Sequence, residues 1–271
     1  MTGHNKEDHP PVCLTIAGLD PSGGAGIVAD IKTFTAHGCF AAAVVSSVTF
    51  QNTTGVFGAV HQTAESVRRQ ADPIFDDYEV AAAKTGMLPT REVIEESAAI
   101  FRERGVTNLV VDPVVRSTSG FDLIDDAALA ALIDTLFPIA AVITPNIPEA
   151  ERVSGMTINS RDDIKISGRK IQAMGARNVL IKGGHFEAAD AGKRLAIDHL
   201  FEGREITVFE DDYIETTATH GTGCTLAAAI TANLALGLDL NAAVRKAKTF
   251  VNKAIAHATS LGKGHSPLNI R

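Results

Sequence analysis

The sequence predicts an α/β protein in which a central, mostly parallel sheet is covered by helices on both faces. Short runs rich in β-branched and apolar residues recur along the chain, and amphipathic helical patterns separate most of them. Continuous apolar strands that alternate with helices are typical of a parallel sheet buried on both sides. The strand candidates are Val12–Ile16, Ala42–Ser46, Val80–Lys84, Asn108–Asp112, Ala141–Thr144 and Asn178–Lys182. The clearest helical patterns are Arg91–Arg104, Asp125–Leu136 and Asp162–Met174.

The C-terminal part of the chain predicts a hairpin followed by two helices. Ile197–Phe201 and Glu205–Phe209 flank a short turn and are typical of an antiparallel hairpin at one edge of the sheet. Two helical patterns follow, Cys224–Leu236 and Leu240–Leu261. Since no linker, composition shift or internal repeat divides the chain, we predict one domain over residues 11–271. A polar, disordered tail at residues 1–10 is expected to precede it.

Composition and charge argue against several classes of protein. The chain of 271 residues has a net charge of -7 and no basic stripe, whereas nucleic-acid binding depends on basic patches. Its three cysteines, Cys13, Cys39 and Cys224, are too scattered for a disulfide framework and fit a reducing compartment. The N-terminus lacks the apolar core of a signal peptide, and the most apolar stretch, Leu226–Leu238, is too short to span a bilayer. We therefore expect a soluble cytoplasmic protein.

Polar clusters follow several of the predicted strands. In open α/β sheets the ligand crevice lies at the carboxyl ends of the strands, so these clusters predict where the active site lies. They are Gly18-Leu19-Asp20, Lys84-Thr85-Gly86, Asp112-Pro113, Thr144-Pro145-Asn146 and Lys182-Gly183-Gly184.

A glycine-rich segment, Ala17–Gly26, connects the first predicted strand to the first predicted helix. It matches neither the dinucleotide motif nor the Walker A motif. Its glycines allow backbone to approach a ligand, although an ordinary glycine-rich turn is the alternative. In the next helix, Asp30 lies within the apolar stripe formed by Ile27, Ile31 and Phe34. Because a buried carboxylate needs a hydrogen bond or a ligand, we interpret Asp30 as a ligand-binding residue, with a purely structural carboxylate as the alternative.

Two further segments supply polar groups near predicted strand ends. Gln51 begins the segment Gln51–Val56, and its amide offers one acceptor and two donors, enough to read the edge of a heterocycle. A polar loop without a binding role is the alternative. The oxygens of Asp112, Asn146 and Glu149 can hold Mg²⁺ directly or through its waters.

Lys182 ends the strand candidate before Gly183-Gly184-His185, so its ammonium can reach a polyphosphate. Singly, Lys182 could be a surface lysine and Glu149 an early-helix charge. Because both lie at predicted strand ends, together they predict a nucleotide site.

The segment Thr219–Cys224 leads directly into an alanine-rich helix. Backbone N–H groups at a helix N-terminus bind anions, and Gly221 and Gly223 would let a phosphoryl group approach them. Cys224 would lie in the first helical turn, where the helix dipole lowers the pKa of a thiol. We therefore predict that Cys224 is a catalytic base, with a small buried helix residue as the alternative.

Several segments resemble those of the hydroxymethylpyrimidine/phosphomethylpyrimidine kinases of thiamine biosynthesis, a family of the ribokinase-like superfamily. They occur in the order of that family, from about Leu14 to Asn269, and they are GLDPSGGAG, QNTTGV, KTGML, TPNIPEA, KGGH, THGTGC and GKGHSPLN. The resemblance implies a three-layer α/β/α fold with about eight strands. It also implies ATP- and Mg²⁺-dependent phosphorylation of 4-amino-5-hydroxymethyl-2-methylpyrimidine and then of its monophosphate, by an enzyme that is commonly a homodimer.

The resemblance also implies roles for individual residues. Substrate would be bound by Gly18, Asp30, Gln51 and Met87. The phosphates of ATP would be bound by Lys182, Gly221 and Gly223, and Asn146 and Glu149 would lie near Mg²⁺ and phosphate. From their positions in the same segments and strand ends, we also predict that Thr219 binds phosphate and that Asp112 helps to hold Mg²⁺. Cys224 stands where other members of the superfamily have a catalytic aspartate. The chain departs from the family at Leu19, where a serine or threonine is usual, which removes one hydrogen-bonding group near the substrate.

Two other functions fit the same segments. A pyridoxal kinase could be built on the same frame, although Gln51 favours an aminopyrimidine. A catalytically silent pyrimidine-binding regulatory protein is a rival of a different class, since a fold does not determine a function. The presence of Glu149, Lys182 and Cys224 favours catalysis over this second rival.

Overall fold

A computed structural model describes residues 9–115, 123–183 and 194–271 of the chain. The strands are β1 (Val12–Leu19), β2 (Phe40–Asn52), β3 (Gly55–His61), β4 (Val80–Thr85), β5 (Leu109–Val111), β6 (Val142–Ile143), β7 (Asn178–Lys182), β8 (Leu195–Glu202) and β9 (Glu205–Asp212). The α-helices are α1 (Gly26–Ala36), α2 (Ala64–Asp77), α3 (Arg91–Glu103), α4 (Asp126–Ala131), α5 (Ile147–Ser154), α6 (Arg161–Ala173), α7 (Thr222–Ala235) and α8 (Leu240–Ala256).

Within these ranges the strands form one nine-stranded sheet in the order β3-β2-β1-β4-β5-β6-β7-β8-β9. The six central strands of this order, β2, β1, β4, β5, β6 and β7, pair in parallel. At the two edges, β3, β8 and β9 pair antiparallel. The predicted α/β class and the hairpin of β8 and β9 are therefore confirmed. The chain leaves β1 towards β2 on one side and later returns to β4 on the other side. The carboxyl ends of β1 and β4 thus form a topological switch point, where α/β proteins bind ligands.

The sheet is buried on both faces, which explains why its central strands are continuously apolar. Successive side chains of a strand point to opposite faces. Accordingly, Leu109 and Val111 of β5 join the core beneath α2 to α6, whereas Val110 joins the core beneath α7 and α8.

The predicted apolar stretch Leu226–Leu238 forms most of helix α7, which is almost entirely buried. Its alanines allow close packing, and Ala228 and Ala232 lie against Phe34 of α1 and Cys13 of β1. The close approach brings the N-termini of α1 and α7 to the same edge of the sheet. No helix among the described residues is long and apolar enough to cross a membrane.

The strand predicted at Ala42–Ser46 is longer in the structure. Because β2 continues to Asn52 and β3 starts at Gly55, the segment Gln51–Val56 contains the turn of a β-hairpin. The Asn52 side chain accepts hydrogen bonds from Thr54, and backbone N–H groups of Lys263 and Gly264 donate to Thr53 Oγ1. These contacts from the C-terminal segment stabilise a turn that lacks the usual asparagine-glycine signal.

Two helix predictions also need correction. Helix α8 ends at Ala256 rather than Leu261, and α4 passes at Leu132 into a π-helical turn that ends at Leu136. In α1, Ile31 lies on the outer surface, while Ile27, Asp30 and Phe34 form the buried side.

Candidate active site

An open cleft lies at the switch point, where the free space, including adjoining open solvent, is about 860 Å³. Its walls come from the segments that follow β1, β4, β5, β6 and β7 and from the N-terminus of α7. The predicted site residues that line it are Gly18, Gln51, Met87, Asp112, Asn146, Glu149, Lys182, Thr219, Gly221, Gly223 and Cys224. Gly184 and His185 of the predicted phosphate segment lie outside the described residues.

Asp30 is the exception, because the structure does not bring it to the cleft. Its side chain has zero exposure, and Oδ2 lies 3.0 Å from Lys84 Nζ and accepts a hydrogen bond of 2.7 Å from Thr15. The predicted substrate contact of Asp30 is therefore not supported. The reason is that the apolar stripe of α1 faces the sheet rather than the cleft, so the carboxylate pairs with Lys84 and Thr15 in the interior.

Asp20, which sequence reasoning did not single out, holds the glycine-rich segment in place. Its carboxylate accepts hydrogen bonds from the backbone N–H groups of Ser22, Gly24 and Ala25 and lies 2.8 Å from His220 Nε2. Burial alone would raise the pKa of Asp20, but the hydrogen bonds from His220, Ser22 and Gln51 hold it well below its usual range. An aspartate that opens a glycine-rich turn was the available signal for this role.

The glycine-rich segment and the segment before α7 pack directly against each other. A Cβ on Gly24 would lie 2.3 Å from Cδ2 of His220. Gly221 has φ +81°, and its Cβ would lie 1.9 Å from the carbonyl oxygen of Gly24. Position 221 requires both a positive φ and the absence of a Cβ, and only glycine meets both requirements. This contact therefore fixes where α7 begins.

Helix α7 starts without a side-chain cap, and the same is true of α1. The other described α-helices are all capped by a serine, threonine, asparagine or aspartate side chain. The two uncapped N-termini both line the cleft, at Gly26 and at Thr222–Cys224. The positive ends of two helix dipoles therefore face this cavity, which favours an anion.

Lys182 lies beside this anion site, where a Cβ on Gly223 would be 3.2 Å from its Nζ. Its ammonium is 3.0 Å from Asp112 Oδ1 and 3.9 Å from Glu149 Oε2. Burial opposes the charge of Lys182, but these two carboxylates outweigh burial and raise its pKa. Lys182 is therefore a fixed cation at the end of β7.

Glu149 and Asn146 form a capping box at the start of α5. Asn146 Oδ1 accepts from the N–H of Glu149 at 2.9 Å, and Glu149 Oε2 accepts from the N–H of Asn146 at 2.7 Å. The pKa of Glu149 is raised to about 7, mainly by burial. Asp112 contributes to the rise, and Lys182 opposes it. The carboxyl is held in place but is electrostatically unsatisfied.

The two carboxylates fit a divalent cation that is shared with phosphates rather than a protein-only metal cage. The described residues contain no group of three or more histidine, cysteine or acidic side chains arranged to hold a metal. Mg²⁺ commonly binds through one or two carboxylates together with substrate phosphates. Asp112 and Glu149 supply those two carboxylates beside Lys182.

Cys224 lies in the first turn of α7 and is partly exposed to the cleft. Burial raises the pKa of its thiol to about 11, while the Lys84 ammonium and the N–H of Gly26 act in the opposite direction. The pKa is therefore shifted opposite to the predicted direction. Withdrawal from water outweighs the helix terminus, a balance that depends on tertiary packing.

Gly18, Met87 and Gln51 also line the cleft. A Cβ on Gly18 would come within 3.2 Å of the Met87 sulfur, so a larger residue at position 18 would crowd the cleft wall. Leu19, the departure from the family, presents its carbonyl to the Thr49 hydroxyl at 2.9 Å.

Comparisons with known proteins show the family of the chain. A family model described as phosphomethylpyrimidine kinase matches residues 20–269. The hydroxymethylpyrimidine/phosphomethylpyrimidine kinase of Bacillus subtilis is 43% identical over 256 residues, which are 94% of this chain and 93% of that protein.

Two solved structures are similar over nearly the whole chain. A phosphomethylpyrimidine kinase from Clostridium difficile has a TM-score of 0.78 at 40% identity and covers 90% of this chain and 99% of its own. The ADP complex of Bacillus subtilis pyridoxal kinase has a TM-score of 0.85 at 36% identity and covers 96% of each chain. On sequence and fold, the chain belongs to the phosphomethylpyrimidine kinase family.

Proposed function

We propose that the chain transfers the γ-phosphate of ATP to the hydroxymethyl group of 4-amino-5-hydroxymethyl-2-methylpyrimidine, and then a second phosphate to the resulting monophosphate, in thiamine biosynthesis. One observation carries the proposal. Lys182, an uncapped helix N-terminus and Cys224 converge in the same cleft as the amide of Gln51. One cleft thus offers groups suited to a phosphate, groups suited to a heterocycle and one candidate base, which supports the proposal.

The substrate end consists of Gly18, Gln51 and Met87. The Gln51 amide can pair with the amino group and a ring nitrogen of the pyrimidine. Its hydrogen bond to Asp20 orients the amide in advance. Met87 and the bare backbone of Gly18 offer an apolar, narrow wall for the flat ring.

The phosphate end consists of Lys182, Thr219, Gly221, Gly223 and Asn146. Phosphoryl transfer is catalysed mainly by positioning and by electrostatic stabilisation of the transferred group. The N-terminus of α7 and the Lys182 ammonium would stabilise the charge on the γ-phosphate. Glu149 and Asp112 would hold Mg²⁺, which when bound neutralises charge on the phosphates of ATP.

Cys224 would be the base. Its thiolate accepts the proton of the substrate hydroxyl while the substrate oxygen forms a bond to the γ-phosphorus and the bond from that phosphorus to ADP breaks. Burial raises the pKa of Cys224 to about 11 although the Lys84 ammonium acts against it, so little thiolate exists at neutral pH before ligands bind.

The test is a coupled assay of ADP release with hydroxymethylpyrimidine, its monophosphate and pyridoxal compared side by side. Turnover of both pyrimidines with little on pyridoxal is expected. Since a pyridoxal kinase has a TM-score of 0.85 against this chain, pyridoxal kinase is the second candidate, and preference for pyridoxal would establish it. Pyrimidine binding without turnover of any substrate would instead support a regulatory binding protein.

We also propose a cytoplasmic homodimer that associates through the edge hairpin of β2 and β3. Phe50, Phe57 and Val60 on this hairpin are 52%, 69% and 54% exposed. Exposed apolar side chains on an edge strand favour pairing with another chain. Sedimentation should give a dimer for the wild type and a monomer for Phe57→Glu, with Leu236→Glu, another exposed apolar position, as the control. A monomeric wild type at micromolar concentration would contradict this assembly.

A further inference from the structure

Lys84 and Asp30 form a buried ion pair directly behind the cleft. Both side chains have zero exposure, and no other ion pair among the described residues is so completely removed from water. Nζ of Lys84 lies 3.0 Å from Oδ2 of Asp30, which also accepts the hydrogen bond from Thr15. Burying two charges costs free energy that only good pairing can offset, so the pair needs an explanation beyond the stability of the fold.

The hydrogen bonding of the pair is incomplete. Oδ1 of Asp30 has no partner, and the described contacts of the Lys84 ammonium contain one hydrogen bond, to Asp30. An ammonium has three donors, and a purely structural pair is expected to use more of them. Two buried hydroxyls on the flanking elements, Thr85 of β4 and Thr225 of α7, also lack partners. The buried polar groups around the ion pair thus leave hydrogen-bonding capacity unused.

The ammonium of Lys84 lies next to a residue of the cleft wall. The point where a Cβ on Gly86 would lie is 3.1 Å from Lys84 Nζ, and Gly86 lines the cleft together with Cys224. Strand β4 packs against α7, which carries Cys224 in its first turn. The charge of Lys84 is therefore fixed beneath the cleft floor, on the side of the thiol.

Four charged side chains influence Cys224 from the surrounding elements: Lys84 of β4, Asp30 of α1, Asp112 after β5 and Lys182 of β7. Lys182 is engaged by Asp112 and Glu149 and belongs to the phosphate end. Lys84 is paired with Asp30 behind the cleft and does not belong to the phosphate end, and among these groups its ammonium has the largest effect in lowering the pKa of Cys224.

We propose that Lys84, held by Asp30 and Thr15, is a positioning residue that stabilises the Cys224 thiolate as a fixed buried cation. Lys84 keeps its protons throughout, and the substrate proton passes to Sγ of Cys224. The inference rests on the proposed function for its catalytic meaning, but the coupling between Lys84 and Cys224 can be measured without turnover.

The test is the pH dependence of Cys224 alkylation by iodoacetamide, followed by peptide mass spectrometry to separate it from the buried Cys13 and Cys39. Lys84→Gln keeps a donor towards Asp30 but removes the charge, and Lys84→Met/Asp30→Asn removes both charges. In Lys84→Gln the alkylation midpoint should rise by about 1 pH unit or more, since a nearby opposite charge shifts a pKa by about 1–3 units. In the double variant the rise should be smaller, because the lost Asp30 carboxylate itself raises the pKa of the thiol. The kcat at neutral pH should fall about tenfold and recover as pH rises, while KM for ATP stays unchanged.

The matched control is Lys248→Met/Asp198→Asn. This variant removes another buried lysine–aspartate pair, 2.6 Å apart, that joins α8 to β8. Because that pair is not among the charges that act on Cys224, its loss should leave the alkylation midpoint unchanged. An equal rise in this control would show a general effect of lost buried pairs and would overturn the proposal.

The outcomes separate the inference from the proposed function. An unchanged midpoint in a folded Lys84 variant overturns the inference, even if the wild type is an active pyrimidine kinase. A shifted midpoint with no turnover by the wild type overturns the proposed function alone. If neither Lys84 variant folds, the ¹³Cε signal of Lys84 in the wild type is followed by NMR while Cys224 titrates. A change in the ¹³Cε chemical shift of Lys84 with pH that is absent in Cys224→Ala supports the coupling. If the wild type shows no such change, the coupling is overturned.

Discussion

Replacement of Glu149 by glutamine should stabilise the protein above neutral pH. Burial raises the pKa of this carboxyl from 4.5 to about 7, so the folded state holds the proton more tightly than the unfolded chain. As pH rises from about 4.5 through 7, the folded wild type must give up this proton and loses stability. Glutamine avoids the loss and keeps an oxygen for the capping box with Asn146.

The magnitude follows from the two pKa values. The difference between 4.5 and about 7, at 1.36 kcal/mol for each pH unit, corresponds to about 3 kcal/mol in the free energy of unfolding. Near pH 4.5 the wild type and Glu149→Gln should be nearly equally stable. Above pH 7 the variant should be more stable by close to the full amount.

The assay is urea unfolding of both proteins between pH 4.5 and 8.5, with chelator present and without nucleotide. Glu65→Gln, which changes a carboxylate that is 79% exposed, is the control and should follow the wild type. A constant difference between Glu149→Gln and the wild type across this range would refute the reasoning. Mg²⁺ with an ATP analogue should reverse the order of stability, because the charged Glu149 would then have a cation.

The remaining predictions concern the thiol, the loop before α7 and the amide. Cys224→Ala should reduce kcat by about 10²–10⁴-fold with little change in KM for ATP, as expected for loss of a general base; an unchanged kcat would remove Cys224 from the mechanism. Gly221→Ala should abolish most activity and lower the melting temperature, because its Cβ would lie 1.9 Å from a backbone oxygen. Gly237→Ala is the control for backbone strain alone, since Gly237 has a similar φ of +83° but a Cβ there would have no atom within 4 Å. This variant should lose stability but retain activity. An equal loss of activity in both variants would argue against crowding at position 221. Gln51→Leu should raise KM for the pyrimidine by about tenfold or more through the loss of paired hydrogen bonds, with KM for ATP as the internal control; an unaffected pyrimidine KM would contradict the assignment.

The location of the site was accessible from sequence because local patterns determine it. Apolar strands ending in polar clusters predict a parallel sheet with its ligands at the carboxyl ends, and the cleft lies there. Glycines before an alanine-rich helix likewise predicted the uncapped N-terminus of α7. Both features depend on residues that are close together in the chain.

Features that depend on distant parts of the chain were missed or misassigned. Asp30 and Lys84 are 54 positions apart, and their pairing explains why Asp30 does not reach the cleft. Asp20 and His220 are 200 positions apart, so the contact that joins the two glycine-containing segments had no local signal. The hairpin turn at Thr53 is stabilised by the C-terminal segment around Gly264.

The sequence by itself determined the class of fold, the edge of the sheet that carries the site and the family, since alternation, turn chemistry and ordered motifs are local properties. Tertiary structure decided which carboxylates face the cleft and how they titrate. Glu149 and Cys224 both have raised pKa values because packing removes them from water, and the charges that oppose this effect come from other strands. Burial and long-range electrostatics depend on the whole fold, so no short segment of the chain encodes them.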